Sequence, residues 1–300
     1  MVRRRQHDEE AGSSSGGSRK RTRASRVKAE ETPNQEVLER GKLFFFYRPK
    51  VGVDEVASEA DIQRTYIEMA PEGEHHMIRL LLMPRKHLPH PRSGTTGRSD
   101  VCWAFVDRLA STQEQLNAML QEQTYQTKTL GQRTVHACRC VGEADYTLEL
   151  TPGNGHVHLY YVLREPTEPG EVQDDLNIER EGAFVLQIKN PERSAPEATS
   201  RSERYPEGFR GLDEHHHAQY SEKLREEFHS KVKNHQDLKF VAGRELPKML
   251  DVLHTELLLI AANKPTSRQS WPSPPLSLKE SIKKYKRPLS KSSAGKSFFI

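Results

Sequence analysis

The sequence lacks an apolar run long enough to form a membrane-spanning helix. Such a helix needs about 20 consecutive apolar residues, and the 300-residue chain contains no segment of that kind. The N-terminal residues are basic but have no apolar core, so we expect no secretory signal. Only three cysteines are present, Cys102, Cys138 and Cys140, and they cannot all pair. This scarcity favours a protein of a reducing compartment over a disulfide-stapled secreted one.

Short catalytic motifs are also missing. The sequence has no nucleophile turn between a strand and a helix, no phosphate-binding GxxxxGK(S/T) loop and no GxGxxG fingerprint. The TPGNG segment at 151–155 is not a phosphate loop, because no Gly-Lys-Ser/Thr follows it directly. An enzyme is therefore the less favoured interpretation, and we predict no cofactor and no bound metal.

Apolar residues are scarce, since they make up 34% of the chain. That fraction is low for a single globule and predicts ends that cannot bury enough apolar surface to fold. The remaining length is sufficient for one large domain or two small ones. The predicted organisation is a disordered basic tail at 1–36, a strand-rich core at 37–191, a linker at 192–207, a helix-plus-strand part of the same core at 208–263 and a second disordered basic tail at 264–300.

Positive charge is concentrated in the two tails. Residues 1–32 contain nine Lys and Arg against five Asp and Glu, and residues 264–300 contain nine against one. The central residues, 33–263, contain 28 against 36, so this part of the chain has a net charge of −8. Basic tails beside an acidic core indicate contact with a polyanion or a transport address.

Two basic clusters in the first tail have the spacing of a bipartite nuclear localisation signal. Thirteen residues separate them, and a Ser/Gly run lies in between. We therefore predict a nuclear location, with the cytoplasm as the alternative, because loose basic motifs also occur in tails that are merely soluble. The residues of the predicted signal are Arg3, Arg4, Arg5, Arg19, Lys20, Arg21 and Arg23.

Apolar and polar residues alternate most clearly at 145–189. The alternation begins at Tyr146, and the Asn-Gly pair at 154–155 predicts a hairpin turn to a second strand. Further predicted strands are 37–47 (buried on both faces), 63–69, 77–83, 101–106, 184–188 and 256–260, and predicted helices are 111–120, capped by Ser111, and 217–229. The predicted fold class is α+β, mainly antiparallel sheet with a few packed helices, flanked by disordered basic tails.

Histidine and cysteine occur in two alternating groups. His136, Cys138 and Cys140 would share one face of a strand, but zinc sites normally need loops that let four ligands converge. His156 and His158 also alternate on a predicted strand, where a polar surface exposed to solvent is favoured over a metal site. Neither group is assigned a metal.

Basic residues near the ends of predicted strands are the best candidates for a ligand site. Arg48 and Lys50 also lie near such a strand end. Arginine and lysine in such positions can clamp phosphate or carboxylate groups. The alternative is ordinary surface salt bridges, each contributing ~0–1 kcal/mol. The candidate ligand-binding residues are Arg64, Arg85, Lys86, His158 and Lys189.

Several segments form an ordered series that covers most of 40–262, and they include RGKLFFFYRPKVG (40–52), LLLMPRKHLP (80–89), HVHLYYVLREPTEPGEVQDDLNI (156–178) and ELLLIAA (256–262). This series resembles an uncharacterised family with members in bacteria, fungi and green plants. The resemblance implies no established reaction or ligand. Some fungal and plant relatives are labelled as BTB-domain proteins or transcription factors, but a BTB fold is mainly helical and this core is strand-rich.

Together, these features predict a non-enzymatic nuclear binding or adaptor module whose basic tails contact nucleic acid or chromatin. The tails carry few aromatic residues, so that contact would be weak and non-specific. The alternative is a small-ligand binder, or an enzyme of unknown reaction, that uses the basic residues at strand ends. No protein partner and no oligomeric state is assigned, and no membrane contact is expected.

Overall fold

A computed structural model describes residues 36–73, 77–90, 100–129, 131–151, 155–193, 217–229 and 238–263. The seven residues of the predicted nuclear localisation signal lie outside these ranges. Residues 1–35 and 264–300 of the two predicted tails also lie outside them, as does the Asn residue of the predicted hairpin turn.

Antiparallel strands make up most of the described structure. In chain order they are β1 (Glu36–Pro49), β2 (Ile62–Pro71), β3 (Ile78–Met83), β4 (Val101–Ala110), β5 (Gln123–Thr127), β6 (Gly131–Val135), β7 (Arg139–Leu150), β8 (Val157–Glu165), β9 (Glu181–Lys189), β10 (Phe240–Val241) and β11 (Glu256–Ala261). The helices are short: α1 (Gln113–Leu120), α2 (Glu171–Asp175), α3 (Glu222–Arg225) and α4 (Leu246–Leu250), with 3-10 turns at Glu59–Asp61 and Glu226–Phe228.

Eight of these strands close into a barrel. They pair in the order β9-β11-β4-β3-β2-β1-β7-β8, and β8 pairs in turn with β9. At the closing strand, Leu186 lies opposite Leu259 of β11 on one side and opposite Val157 of β8 on the other. The short strand β10 pairs with the last two residues of β9, beyond the end of the β8 pairing.

The predicted α+β class is therefore wrong. The described structure is a closed antiparallel barrel with short helices at its ends and on one outer face, not a sheet with helices packed on it. Alternation in the sequence shows that a strand has an apolar side, but it does not show whether the edge strands of the sheet meet. Closure depends on strand tilt and stagger, which the pattern of apolar residues does not encode.

Apolar side chains fill the barrel interior. Val157, Leu159, Tyr161 and Leu163 of β8 all point inward, as their alternation predicts, and they belong to one cluster to which every barrel strand contributes. The rings of Tyr161 and Phe45 pack in a T-shaped arrangement, with 5.2 Å between their centroids. An eight-stranded barrel is just wide enough for side chains to occupy its interior.

Both ends of the barrel are also covered by apolar residues. We call the end where β1 finishes and β2 begins the upper end, and the opposite one the lower end. Leu88 and Leu176, from upper connections, join the interior cluster, and the Leu88 N–H donates to the Leu176 carbonyl at 2.9 Å. At the lower end, α4 contributes Leu246, Met249 and Leu250. The described part of the barrel thus has a continuous apolar core from end to end.

A second apolar cluster lies on the outside of β1 to β4 and of β11. Phe44 and Phe46 of β1 and Trp103 of β4 face outward, and Leu116 and Leu120 of α1 pack in the same cluster. The aromatic run of β1 is therefore buried on both faces, which confirms the prediction made from its composition.

Two helix predictions need correction. The N-cap of α1 is Thr112, whose hydroxyl accepts a hydrogen bond from the Gln115 N–H at 3.3 Å, so Ser111 is not the cap. The Ser111 N–H donates instead to the Gln115 side chain at 2.9 Å. Adjacent hydroxyl residues satisfy the same capping preference, so the sequence alone did not distinguish them. The helix predicted at 217–229 is shorter, consisting of α3 and the 3-10 turn after it.

A buried ion network ties α4 to the lower end of the barrel. Arg79 of β3 is fully buried and donates to both oxygens of the Glu39 carboxylate, at 2.7 and 2.8 Å. It also donates to Asp251, which follows α4, at 2.7 Å and to the Pro247 carbonyl at 3.0 Å. The Tyr146 hydroxyl donates to Glu39 at 2.7 Å. Burial alone would lower the pKa of Arg79, but the charge and hydrogen bonds of Glu39 raise it above the usual value.

Replacing Arg79 by Met should lower the free energy of unfolding by ~3–5 kcal/mol, because it leaves the Glu39 carboxylate buried without its partner. Chemical denaturation of the full chain measures this change. The matched control is Arg180→Met, which removes an exposed ion pair to Glu168 and should change the stability by less than ~1 kcal/mol. Similar denaturation midpoints for the two variants would contradict the assignment of Arg79 as the anchor.

Candidate nucleic-acid interface

The five residues predicted to bind a ligand do not meet in one site. Arg64 lies near the start of β2, and Arg85 and Lys86 follow β3, which places all three at the upper end of the barrel. His158 is near the start of β8 and Lys189 ends β9, which places both at the lower end. At about 3.3 Å per residue, the strand length separates the two groups. A single small anion cannot contact both.

Two of the upper residues hold loops in place. Arg85 Nη1 donates to the Asp100 carboxylate at 3.0 Å and to the Val101 carbonyl at 3.1 Å. Lys86 Nζ donates to the Glu59 carbonyl at 2.6 Å. These bonds attach the segment after β3 to the start of β4 and to the connection that precedes β2.

Lys189 lies in a buried ion pair. Its Nζ is 2.8 Å from the Glu256 carboxylate, and each side chain is only 4% exposed. Taking an unpaired ion out of water costs several kcal/mol. A ligand that displaced either partner would leave the other one buried without a counter-charge, so this contact fits a structural role.

His158 lies on the outer face of β8. Its Nδ1 is 3.0 Å from the Thr151 hydroxyl, and its ring stacks on Tyr160 with 5.6 Å between the centroids. Burial, together with the charge of His156, lowers the pKa of His158 below 6.5. The imidazole is therefore neutral at neutral pH and offers no positive charge to a phosphate.

The His-Cys-Cys group does not occupy one strand face. His136 and Cys138 precede β7, and Cys140 is the second residue of that strand. No three His, Cys, Asp or Glu side chains of the described residues form a group that could hold a metal ion. Burial raises the pKa of the Cys138 thiol to about 11, although the charge of Arg48 opposes the shift. The thiol is thus protonated at neutral pH, and a protonated thiol is a weak nucleophile.

A two-stranded ribbon lies outside the barrel. Among the described strands, β5 and β6 pair only with each other, and we call them the outer ribbon. Four of the five residues of β5 are exposed. At the turn, the Thr127 hydroxyl donates to the Gly131 carbonyl at 2.9 Å, and Gly131 has a φ of +70°, a conformation that glycine adopts without a steric penalty.

Arg48 of β1 fixes the base of the outer ribbon. Its Nη1 donates to the His136 carbonyl, just after β6, at 2.9 Å, and its Nη2 donates to the Met119 carbonyl, before β5, at 3.4 Å. The Cys138 N–H donates to the Leu120 carbonyl at 2.8 Å and joins the same two flanks. An isolated two-stranded hairpin is at best marginally stable in water, so these bonds to the barrel help to order the outer ribbon.

The outer ribbon and the seven residues after it, 136–142, have no acidic side chain. No Asp or Glu occurs between Glu122 and Glu143, although residues 33–263 have a net charge of −8. The basic residues of the acid-free segment are Lys128, Arg133 and Arg139. A local basic element on an acidic protein attracts polyanions in spite of the net charge of the whole.

The two faces of the outer ribbon carry different polar groups. On one face Tyr125, which is 44% exposed, lies opposite Arg133. The other face carries two cross-strand pairs, Gln126 with Gln132 and Thr124 with Thr134. These side chains offer both donors and acceptors of hydrogen bonds. The arrangement can therefore contact a polar, negatively charged partner.

Arg64 lies beside the base of the outer ribbon. It is the cross-strand partner of Arg48 in the pairing of β1 with β2, and it is exposed. Directly opposed residues have Cβ atoms about 5 Å apart, so Arg64 adds a positive charge next to the anchor. Its role in ligand binding stays a prediction.

The sequence patterns used above miss Tyr125, Lys128 and Arg133. Neither strand of the outer ribbon has an apolar side, so the alternation that indicates a half-buried strand is absent. Two signals could have identified the ribbon. One is the lack of acidic residues at 123–142, and the other is Gly131 between two segments rich in Thr and Gln.

Replacing Arg48 by Met should loosen the outer ribbon, because it removes the bonds to the His136 and Met119 carbonyls but keeps an apolar stem. Hydrogen exchange of the β5 and β6 amides should become faster, while exchange in β8 should stay unchanged. Arg64→Met is the control, since it removes the same charge from the neighbouring exposed position. If both variants affect β5 and β6 equally, Arg48 is not the anchor.

Comparison with known proteins supplies no relative from which a role for this surface could be transferred. No family model matches the chain, and no curated protein or solved structure matches it significantly. Within the described residues, no helix has both the length and the apolar character needed to cross a membrane.

Proposed function

We propose that this protein is a non-enzymatic binding module of the nucleus whose basic tails contact nucleic acid or chromatin. The observation that carries the proposal is the separation of charge along the chain. The net charge is +4 at residues 1–32 and +8 at 264–300, but −8 in between. Such a distribution favours contact between the tails and a polyanion, while it disfavours close approach of the acidic part.

The composition of the tails favours binding to the phosphate backbone rather than to bases. Lys and Arg neutralise phosphates in any sequence. Aromatic residues, which could stack on bases, are few in the tails: Trp271, Tyr285, Phe298 and Phe299. Contact through the tails should therefore be weak in sequence preference.

The filled barrel supports a binding role over catalysis. Buried apolar residues occupy its described interior and cover both ends, and three polar side chains buried at the lower end, Arg79, Glu39 and Tyr146, bind one another. Catalytic sites place reactive groups beside a space that admits a substrate. The small-ligand alternative loses support because its candidate residues lie at opposite ends of the barrel.

A salt titration of duplex DNA binding tests the contribution of the tails. For the unsubstituted chain, the logarithm of affinity should fall linearly with the logarithm of salt concentration, at about −0.9 for each phosphate neutralised. A full-length variant with the Lys and Arg of 1–32 and 264–300 changed to Gln should bind much more weakly and with a flatter slope. Equal affinities and slopes for the two proteins would contradict a role of the tails in binding.

The nuclear location has a separate test. A fluorescent fusion of the full chain should accumulate in nuclei, and changing Arg3, Arg4, Arg5 and the cluster at 19–23 to Ala should reduce that accumulation. A variant with Lys223→Ala and Arg225→Ala on α3 controls for loss of positive charge elsewhere. A wild-type fusion that stays in the cytoplasm would overturn the proposed nuclear location. Nuclear accumulation of the tail variant at the wild-type level would overturn the proposed signal.

A further inference from the structure

We propose that the outer ribbon enters the major groove of duplex DNA, an inference that rests on the proposed contact of this protein with nucleic acid. Three properties of this exposed element support the proposal: its shape, its positive charge and its attachment to the barrel. Each strand of the ribbon has five residues, and the two are antiparallel. The major groove of B-form DNA is about 12 Å wide and admits a two-stranded β-ribbon.

The outer ribbon is long enough to reach into the groove while its base stays on the barrel. Five residues of an antiparallel strand extend about 17 Å, whereas the groove is about 8.5 Å deep. The negative charge of the barrel is screened over about 8 Å at physiological salt. The tip of the ribbon can therefore meet phosphates with little repulsion from the acidic surface behind it.

Each face of the outer ribbon has a suitable chemistry. Glutamine can bond the edge of adenine with both atoms of its amide, and the methyl group of threonine can contact that of thymine. The face that carries Gln126 and Gln132 with the two Thr residues is thus the one that would meet base edges. Lys128, at the turn, would contact the phosphates that flank the groove, and the long side chain of Arg133, which starts on the face turned away from the bases, would extend to phosphates at the rim of the groove.

The anchoring by Arg48 lowers the cost of this contact. A free hairpin would lose conformational freedom on binding, and that loss would reduce its affinity. The bonds from Arg48 to the His136 and Met119 carbonyls already hold both flanks of the ribbon in the unbound protein. Arg48 is thus a positioning residue, whereas Lys128, Arg133 and the Gln pair are the contact residues.

The shape of the ribbon predicts a preference for DNA over RNA. The major groove of an A-form RNA duplex is deep and too narrow for side chains to read. The basic tails bind both duplexes through phosphates, but the outer ribbon should add affinity only to the DNA duplex. The difference between the two affinities therefore isolates the contribution of the ribbon.

The experiment uses the full chain and a mixed-sequence duplex of about two helical turns, as DNA and as RNA. One variant combines Lys128→Ala with Arg133→Ala, and a second combines Gln126→Ala with Gln132→Ala. The matched control combines Lys223→Ala with Arg225→Ala, which removes the same charge from exposed positions on α3. Each variant must unfold at the same temperature as the unsubstituted chain, which excludes a general folding defect.

We expect the Lys128/Arg133 variant to bind DNA about 10- to 30-fold more weakly at 0.15 M salt, with a salt slope smaller by about 1.8. The Gln126/Gln132 variant should lose DNA affinity without a change in slope, and neither variant should lose affinity for RNA. Ribbon variants that bind DNA as the control does, or that lose RNA affinity equally, would overturn the major-groove inference. Failure of the unsubstituted chain to bind either duplex would overturn the proposed function itself.

Discussion

The pairing of β9 with two neighbours is the contact on which the rest of the structure depends. β9 bonds to β11 along 184–188 and to β8 along 181–186, and this converts an antiparallel sheet into a closed barrel. Closure gives every strand an inner side, which side chains must fill. It also creates two open ends, which have two requirements. Side chains must shield each end from water, and the polar groups buried there need hydrogen-bond partners. The ion network of Arg79 at the lower end meets the second requirement.

Closure also determines where a partner can bind. The eight barrel strands, as far as the structure describes them, leave no long free edge to which a foreign strand could add. The chain leaves β4 and returns at β7, on the far side of β1, so this connection has to pass outside β3, β2 and β1. Its first part, α1, packs on that outer face. Its last part is held to β1 by the hydrogen bond from Arg48 to the His136 carbonyl. The outer ribbon is the stretch between these two attachments, and it is free of the packing demands of the core.

The sequence predicts the individual strands better than their arrangement. Strands with one apolar side, such as the one that holds Leu159 and Tyr161, are evident because burial imposes a period of two. Closure is not evident, because it depends on the stagger of strands far apart in the chain, and this produced the wrong fold class. The same holds for the candidate ligand-binding residues. Basic residues near strand ends can be recognised in the sequence, but an ion pair such as Lys189 with Glu256 is evident only once the fold is known. The outer ribbon has no apolar pattern at all.

In the proposed contact with DNA, the basic tails and the outer ribbon would have different roles. Phosphate contacts position a protein on a duplex without reading it, and only groups that reach base edges can read sequence. The tails provide charge but few groups for such reading, and the net charge of −8 at 33–263 disfavours close approach of the barrel to phosphates. The acid-free segment begins after Glu122, which directly precedes β5, and continues through β6 into the first residues of β7, where it ends before Glu143. The outer ribbon is the part of this segment that extends away from the acidic barrel, and it is the part proposed to contact DNA.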